Sequence, residues 1–434
     1  MLIGIDASRA NREHRGGPEW YSYYLIKYFA RLDKKNQYIL FSDRPLTGGL
    51  MDLTCPELAK NPAGEIKLDR RGFQAIKSPY NNFRAKVLSW PFNFLWTQGR
   101  LSIAMLKRKI VRLDALFIPA HTLPFFHPGR SIVTIHDIGF QHDRRFYDFE
   151  REGPENLRVQ SLTDLFVRIF TLGKYGANSL DYQNWAVGYA LRHAKIILCP
   201  SEFTKKEIMR IYKARGEKIK VIANGYNNEA YNAEASATRV AAALEKYGLK
   251  KPYFFYCGRL ERKKNISALV EAYGIMKNKH PEVEHKLVLA GDAGSGYDEV
   301  NFMASEYDVE KEVIMTGWVE ERDLPFLYKG ADAFVFPSRY EGFGIPLLQA
   351  MATGIPIAAS DFGPIPEVVG DAALFYNSED PYAMAERLYE IIIDQELRKK
   401  LIARGLSRAK DFSWEKCARE TLEIIEGLAR RNIS

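Results

Sequence analysis

Two α/β domains, each a doubly wound, Rossmann-like parallel sheet facing its neighbour across a cleft, are the fold this sequence predicts. Three observations carry the prediction. At 434 residues the chain exceeds what one hydrophobic core usually supports, which favours two domains of roughly 200 residues each. Short apolar runs alternate with longer helical patterns along the whole chain, the signature of βαβ units. Between the two halves lies Asn224-Gly225-Tyr226-Asn227-Asn228-Glu229-Ala230-Tyr231-Asn232, a polar, turn-rich segment that reads as a linker.

In the first half, strands are predicted at Leu2–Ala7, Tyr38–Ser42, Ala115–Pro119, Ser131–His136, Ile196–Pro200 and Lys220–Ala223. In the second they are predicted at Tyr253–Cys257, Lys286–Ala290, Val313–Thr316, Ala333–Phe336, Pro356–Ala359 and Ala373–Tyr376. Each run is short and continuously apolar, as strands buried on both faces of a parallel sheet must be. The domains so defined span 1–226 and 227–412. Gln141–Arg192 is long for a single connection, rich in aromatic and charged residues, and reads as helical and acceptor-facing. The last helical pattern runs from Trp414 to Arg431.

Composition excludes several classes. A hydrophobic content of 46% and a charged content of 27% are those of an ordinary globular protein. No run reaches the roughly 20 apolar residues of a spanning helix, and Met1-Leu2-Ile3-Gly4-Ile5-Asp6 is already a strand rather than a signal peptide, so a cytoplasmic protein is expected. Cys55, Cys199, Cys257 and Cys417 are too far apart for a metal-type pair and read as reduced thiols.

The formal net charge of +8 is unevenly spread. Between Arg70 and Leu113 there is no Asp or Glu, while ten Lys and Arg residues interleave with aromatic and aliphatic ones. Such a mixture suits peripheral contact of 70–113 with an anionic membrane face, or a lipid-diphosphate acceptor. The plainer reading is a solvated basic helix pair packed on the first sheet. No nucleic-acid-binding module accompanies the charge, so nucleic acid is not an expected partner.

Two strand-to-helix junctions carry the chemistry. Ala333-Phe334-Val335-Phe336-Pro337 leads through Ser338-Arg339-Tyr340-Glu341-Gly342-Phe343-Gly344 into a helix beginning near Ile345. Gly342 and Gly344 allow a tight turn and close approach of the backbone to a ligand, and the helix N-terminus offers free N–H groups to a phosphate. Glu341 would repel that phosphate, so a sugar hydroxyl is its expected partner. The second junction, Tyr253-Phe254-Phe255-Tyr256-Cys257-Gly258-Arg259-Leu260-Glu261-Arg262-Lys263-Lys264-Asn265, clusters cations after a strand. Arg259 suits bidentate phosphate contact and Lys264 acts as a point charge, together opposing the charge of a diphosphate leaving group. Arg262 and Lys263 read as solvated neighbours. Gly16 and Gly17 follow the first strand and precede a helix, where their amides would face a diphosphate or simply form a tight turn. Asp292 before Ala293-Gly294-Ser295-Gly296 looks like a phosphate loop or a structural turn. There is no Asp-x-Asp, so no metal or other cofactor is implied.

These residues resemble glycosyltransferase family 4, retaining enzymes of the GT-B fold. The resemblance also runs through Leu287–Asp292, Val313–Trp318 and Pro364–Val369, and more patchily through Gly16-Gly17, His136-Asp137, Pro200–Thr204 and Asn224-Gly225. It implies a nucleoside diphosphate sugar donor, a glycan or lipid-linked hydroxyl acceptor, and attack on the face from which the leaving group departs. It assigns catalysis to Glu341, Arg259, Lys264 and His136, the last against the donor sugar. It assigns donor binding to Gly16, Gly17, Gly258, Val319, Phe343, Gly344, Ile345 and Gln349, with the Val319 backbone pairing the nucleobase. It also implies that the C-terminal helix, 413–434, crosses back onto the first domain. One departure stands out. The family carries two glutamates separated by seven residues, and the second is here Gln349, which can hydrogen-bond a ribose only without charge assistance. A GT-B epimerase or hydrolase, and a donor-binding subunit without activity, are the alternatives to a transferase.

Overall fold

The computed structural model describes residues 1–55, 67–90, 96–106, 112–142, 179–234 and 236–430. The chain divides into two compact units. The first comprises the described parts of Met1–Ile138, Glu152–Asn224 and Trp414–Ser434, and the second those of Gly139–Arg151 and Gly225–Ser413.

Each unit is built on one sheet. Strands β1 (Leu2–Asp6), β2 (Gln37–Ser42), β3 (Phe73–Ala75), β4 (Phe83–Val87), β5 (Ala115–Ile118), β6 (Ser131–Thr134), β7 (Ile196–Cys199) and β8 (Ile219–Val221) form the first, in the order β3-β4-β2-β1-β5-β6-β7-β8. Its pairs are parallel except β3 with β4. Strands β9 (Tyr253–Cys257), β10 (Lys286–Ala290), β11 (Val313–Gly317), β12 (Ala333–Phe336), β13 (Ile357–Ser360) and β14 (Ala373–Tyr376) form the second, entirely parallel, in the order β11-β10-β9-β12-β13-β14. The apolar runs are continuous because these strands are covered on both faces: Tyr253, Phe254, Phe255 and Tyr256 are all fully buried.

The described helices are α1 (Gly17–Leu32), α2 (Ser102–Leu106), α3 (Ser179–His193), α4 (Glu202–Tyr212), α5 (Ala237–Lys246), α6 (Ile266–Lys279), α7 (Tyr297–Glu306), α8 (Leu324–Gly330), α9 (Ile345–Thr353), α10 (Ile365–Val369), α11 (Pro381–Ile393), α12 (Gln395–Ala409) and α13 (Trp414–Arg430). None of them is long and apolar enough to cross a membrane.

Every strand expected from the sequence is present, with ends displaced by no more than two residues. The basic stretch 70–113 departs from the helix pair expected of it. Its first part holds β3 and β4, because Phe83-Arg84-Ala85-Lys86-Val87 alternates with a period of two and turns Phe83, Ala85 and Val87 inward, whereas Trp96–Leu101 and Ser102–Leu106 are helical. Several of its cations are already engaged. Arg84 and Lys86 lie 4.9 and 4.6 Å from the centre of the Phe73 ring, and Lys77 pairs with Asp52 at 3.0 Å. Its segments 91–95 and 107–111, like 143–178 of the long connection between β6 and β7, lie outside the described residues. In that connection the expected helix is seen at α3.

Helix α13 belongs to the first unit. Its first residue, Trp414, is 1% exposed, stacks on Tyr24 of α1 at 5.1 Å and meets Tyr21 edge-on at 6.1 Å. Further along, Asn36 donates to Glu426 at 3.0 Å. Removing a buried aromatic anchor of this size costs about 3–5 kcal/mol. Trp414→Ala is therefore expected to lower the urea midpoint of the first unit, with Trp414→Phe recovering part of the loss; an unchanged midpoint in Trp414→Ala would show that α13 is not held by this stack.

Candidate functional site

In the second sheet β9 has β10 on one side and β12 on the other, so the chain reverses its direction of winding between β9 and β12. Loops leaving the carboxyl ends of such a strand pair diverge and open a crevice, which is where doubly wound sheets bind ligands. Both cation- and carboxylate-bearing junctions leave the sheet at this point.

Backbone geometry fixes the first junction. Gly258 has φ +151° and Gly291 φ +146°, and a Cβ on Gly291 would stand 2.0 Å from the Gly258 carbonyl oxygen. Only glycine permits that approach. Leu260 N donates to Asp292 O at 2.9 Å and Arg262 N to Ser295 O at 2.8 Å, so the Asp292–Gly296 segment is a structural turn bracing the cationic loop. The two junctions are then tied together by the Arg339 N–H, which donates to Lys263 O at 3.0 Å.

That tie brings Lys264 and Glu341 together. Lys264 Nζ lies 2.6 Å from Glu341 Oε1, and Ser338 Oγ donates to the same oxygen at 2.8 Å. The two side chains are 17% and 11% exposed. Among the described residues Oε2 of Glu341 accepts no hydrogen bond, which leaves one carboxylate oxygen for a ligand hydroxyl. Arg262 pairs with Glu299 at 2.7 Å and Lys263 with Glu261 at 3.5 Å. Arg259, by contrast, is exposed and makes no ion pair among the described residues. A cation beside a carboxylate, with an exposed cation earlier on the same loop, can take up a group carrying both hydroxyls and phosphate.

Gly344 (φ +100°) starts α9, with Ile345 and Pro346 in its first turn. A side chain on Gly344 would meet Leu347 Cδ1 at 2.9 Å. Phe343, expected at the donor, is 5% exposed and packs its ring 5.9 Å from Phe412; only its main chain is left for a ligand. Gln349 Oε1 accepts from the Tyr328 hydroxyl at 3.2 Å. The oxygen expected to meet a ribose is thus already hydrogen-bonded, while the Gln349 amide NH₂ makes no hydrogen bond among the described residues. Val319, 7% exposed, follows β11, which lies two strands and so roughly 10 Å from β9. Neither Ser338 nor Tyr328 is among the residues expected at the site from the sequence. Ser338 is legible in retrospect as a hydroxyl three residues before Glu341, whereas Tyr328 has no local signal. No group of three or more His, Cys, Asp or Glu among the described residues is arranged to hold a metal ion.

The first unit carries its own cluster at the carboxyl edge of its sheet. The Gly16 N–H donates to Glu19 Oε2 at 3.2 Å, closing the start of α1, so of the two expected amides Gly17 alone remains for a ligand. Glu19 in turn pairs with Arg9 at 2.9 Å. His136 packs edge-on against Tyr21 at 4.8 Å, and its Nε2 lies 2.9 Å from Pro119 O. A carbonyl can only accept, so Nε2 carries the proton and the neutral ring presents Nδ1 as an acceptor. Burial lowers the pKa of His136 and takes that of His121 down to about 3, where the Arg9 guanidinium and, once protonated, the His136 ring add to the effect.

A pair of doubly wound sheets with these junctions is the architecture of the GT-B class. The solved sucrose-phosphate synthase from Thermosynechococcus elongatus superposes with a TM-score of 0.68 at 19% identity, covering 98% of each chain. Residues 15–230 match Glycosyltransferase Family 4 and residues 241–408 match Glycosyl transferases group 1. The O-antigen chain mannosyltransferase B of Escherichia coli is 32% identical over 332 residues, 76% of this chain and 83% of that one. The serotype-specific mannosyltransferase WbdA of Escherichia coli is 27% identical over 232 residues, which is 53% of this chain and 28% of that longer protein. The chain belongs to glycosyltransferase family 4 and is a glycosyltransferase.

The two histidines make the first unit sensitive to acid. Their pKa is lower folded than unfolded, so the stability tied to their neutral form is complete above the ordinary value of about 6.5 and is lost as pH falls towards the folded value. Each contributes a slope of at most ~1.4 kcal/mol per pH unit in that window, less where solvent reaches the ring. His121→Gln is expected to flatten the pH dependence of urea unfolding between pH 6.5 and 4 relative to the unaltered protein; parallel curves would show that His121 is not held neutral.

Proposed function

We propose that this glycosyltransferase moves mannose, with retention of configuration, from a nucleoside diphosphate sugar to a hydroxyl of a glycan or lipid-linked acceptor in surface polysaccharide assembly. The observation that carries this reading is the Lys264–Glu341–Ser338 arrangement at the point where the second sheet reverses its winding. The sugar is taken from the relative that matches most of the chain, the O-antigen chain mannosyltransferase B.

In this reading Lys264 orients Glu341, and Glu341 Oε2 accepts a hydroxyl of the donor sugar. An ammonium has three N–H groups, so Lys264 can hold Glu341 and still reach a diphosphate oxygen. Arg259, exposed on the same loop, grips that diphosphate in bidentate fashion, and the α9 N-terminus after Gly344 adds its free amides. As the C–O bond to the diphosphate breaks, negative charge grows on the leaving oxygen, and these cations stabilise it where a metal would otherwise act. A phosphate oxygen takes the proton of the acceptor hydroxyl, which attacks from the face the diphosphate leaves. Neutral His136 supplies an acceptor against a sugar hydroxyl.

The test is turnover of UDP-, GDP-, ADP- and dTDP-linked mannose and glucose, with the anomer of the released sugar read by NMR. One donor hydrolysed slowly to the α-sugar, and not by Glu341→Ala, is the expected result; a β-product, or no donor bound at all, would overturn the reading. Because charge grows only as the bond breaks, Arg259→Ala and Lys264→Ala are expected to lower kcat by about 10²–10³ and to weaken donor binding much less. A chelator is expected to leave kcat unchanged.

A further inference from the structure

The parallel first sheet has two edges, and its carboxyl edge, with Gly17 and His136, is the one already described. At its amino edge, beneath the starts of β6, β7 and β8, lies a pocket of about 1200 Å³ that no feature of the transfer reaction uses. Arg192 at the end of α3, Lys195 before β7, Lys213 and Arg215 after α4, and Lys218 and Lys220 around β8 all line it, against only Glu217 and Glu423. Leu191, Ile424 and Leu428 give it apolar walls.

Of these six cations one is spent on the protein. Lys218 Nζ caps α3, donating to Leu191 O at 2.7 Å and Arg192 O at 3.3 Å, which is where a helix end favours positive charge. Arg192, Lys195, Lys213, Arg215 and Lys220 make no ion pair among the described residues, and all five are exposed. They line the same pocket, and some of their charges reach its partly buried groups. Burial and then Lys195 lower the pKa of Lys218, while burial, then Arg192, His127 and Lys218 lower that of His193. Like charges gathered around one pocket by separate elements, a helix end, two loops and a strand, favour an anion between them.

We propose that this amino-edge pocket is a second anion site, built for a phosphate-bearing ligand and separate from the sugar-transfer site. Its dimensions admit a diphosphate or a phospholipid headgroup, and the apolar walls suit the glycerol and first methylenes of the latter. The shared chemistry is a phosphate bound by several point charges, with an affinity that falls steeply as salt is added. The strands between the two edges are only four or so residues, about 13 Å, so the two sites are opposite ends of one layer.

The test compares the unaltered protein with Lys195→Ser/Arg215→Ser/Lys220→Ser, and with Lys250→Ser/Lys251→Ser/Lys311→Ser as a control of equal charge loss on the second unit. Sodium pyrophosphate is titrated by calorimetry, and sedimentation is measured with phosphatidylglycerol-containing and with pure phosphatidylcholine vesicles. Pyrophosphate binding, or retention on the phosphatidylglycerol vesicles alone, that weakens about tenfold or more in the first triple variant and not in the control supports the site. The ligand that responds identifies whether its phosphate is free or carried by a lipid. Equal weakening in both triple variants, or none in the first, overturns it. Donor hydrolysis is expected to be unchanged in both, so failure here is distinguishable from failure of the transferase reading.

Discussion

The arrangement of the second unit depends on one backbone hydrogen bond, from Arg339 N to Lys263 O. Loops on either side of a winding reversal diverge by construction, and nothing in the sheet itself holds them at a fixed distance. This bond does so. It lets Lys264 reach Glu341 across 77 positions of sequence, and the close approach of Gly258 and Gly291 sets the height of the cationic loop above the sheet. The side chains that would do chemistry therefore sit on rigid main chain, which is the condition for aiming charge at a developing leaving group rather than waiting for solvent to reorganise.

Much of this was legible in the amino-acid sequence, for physical reasons that can be named. Strands buried on both faces must be continuously apolar, so β9 and β12 announce themselves, and glycines at Gly258 and Gly344 mark where the backbone needs positive φ. Other parts were hidden. Strand β4 alternates Phe83, Ala85 and Val87 with Arg84 and Lys86, a period of two that is only five residues long and lies within a dense run of positive charge. Tyr328 reaches Gln349 from a different helix, and the Gly16 amide is taken by Glu19. Contacts of that kind are set by tertiary placement and leave no spacing signal.

Charge shows the same limit. The net charge of +8 is a property of the sequence, but which cations are available is a property of the fold. In the described part of 70–113, Lys77 is held by Asp52 and Arg84 and Lys86 lie over Phe73, so a run that looks like a binding stripe is partly occupied by its own neighbours. The cations around β7 and β8 are spread through the sequence from 192 to 220 and look unremarkable there; only the parallel sheet gathers them at one edge.

At Gln349 the chain departs from its family's pair of glutamates, and the hydrogen bond from Tyr328 bears on what that departure costs. A carboxylate at this position would accept from Tyr328 and keep ample capacity for two ribose hydroxyls. The amide has one acceptor oxygen, and Tyr328 already donates to it. A ribose in the proposed donor site would then either share that oxygen or accept from the amide NH₂ through its own hydroxyl oxygens. Both arrangements are neutral hydrogen bonds, worth about 1 kcal/mol less than charge-assisted ones. The difference bears on how tightly the nucleoside is held. It leaves untouched Glu341, Lys264 and Arg259, whose proposed contacts are with the sugar and the diphosphate, so the substitution separates donor affinity from the chemistry at the sugar.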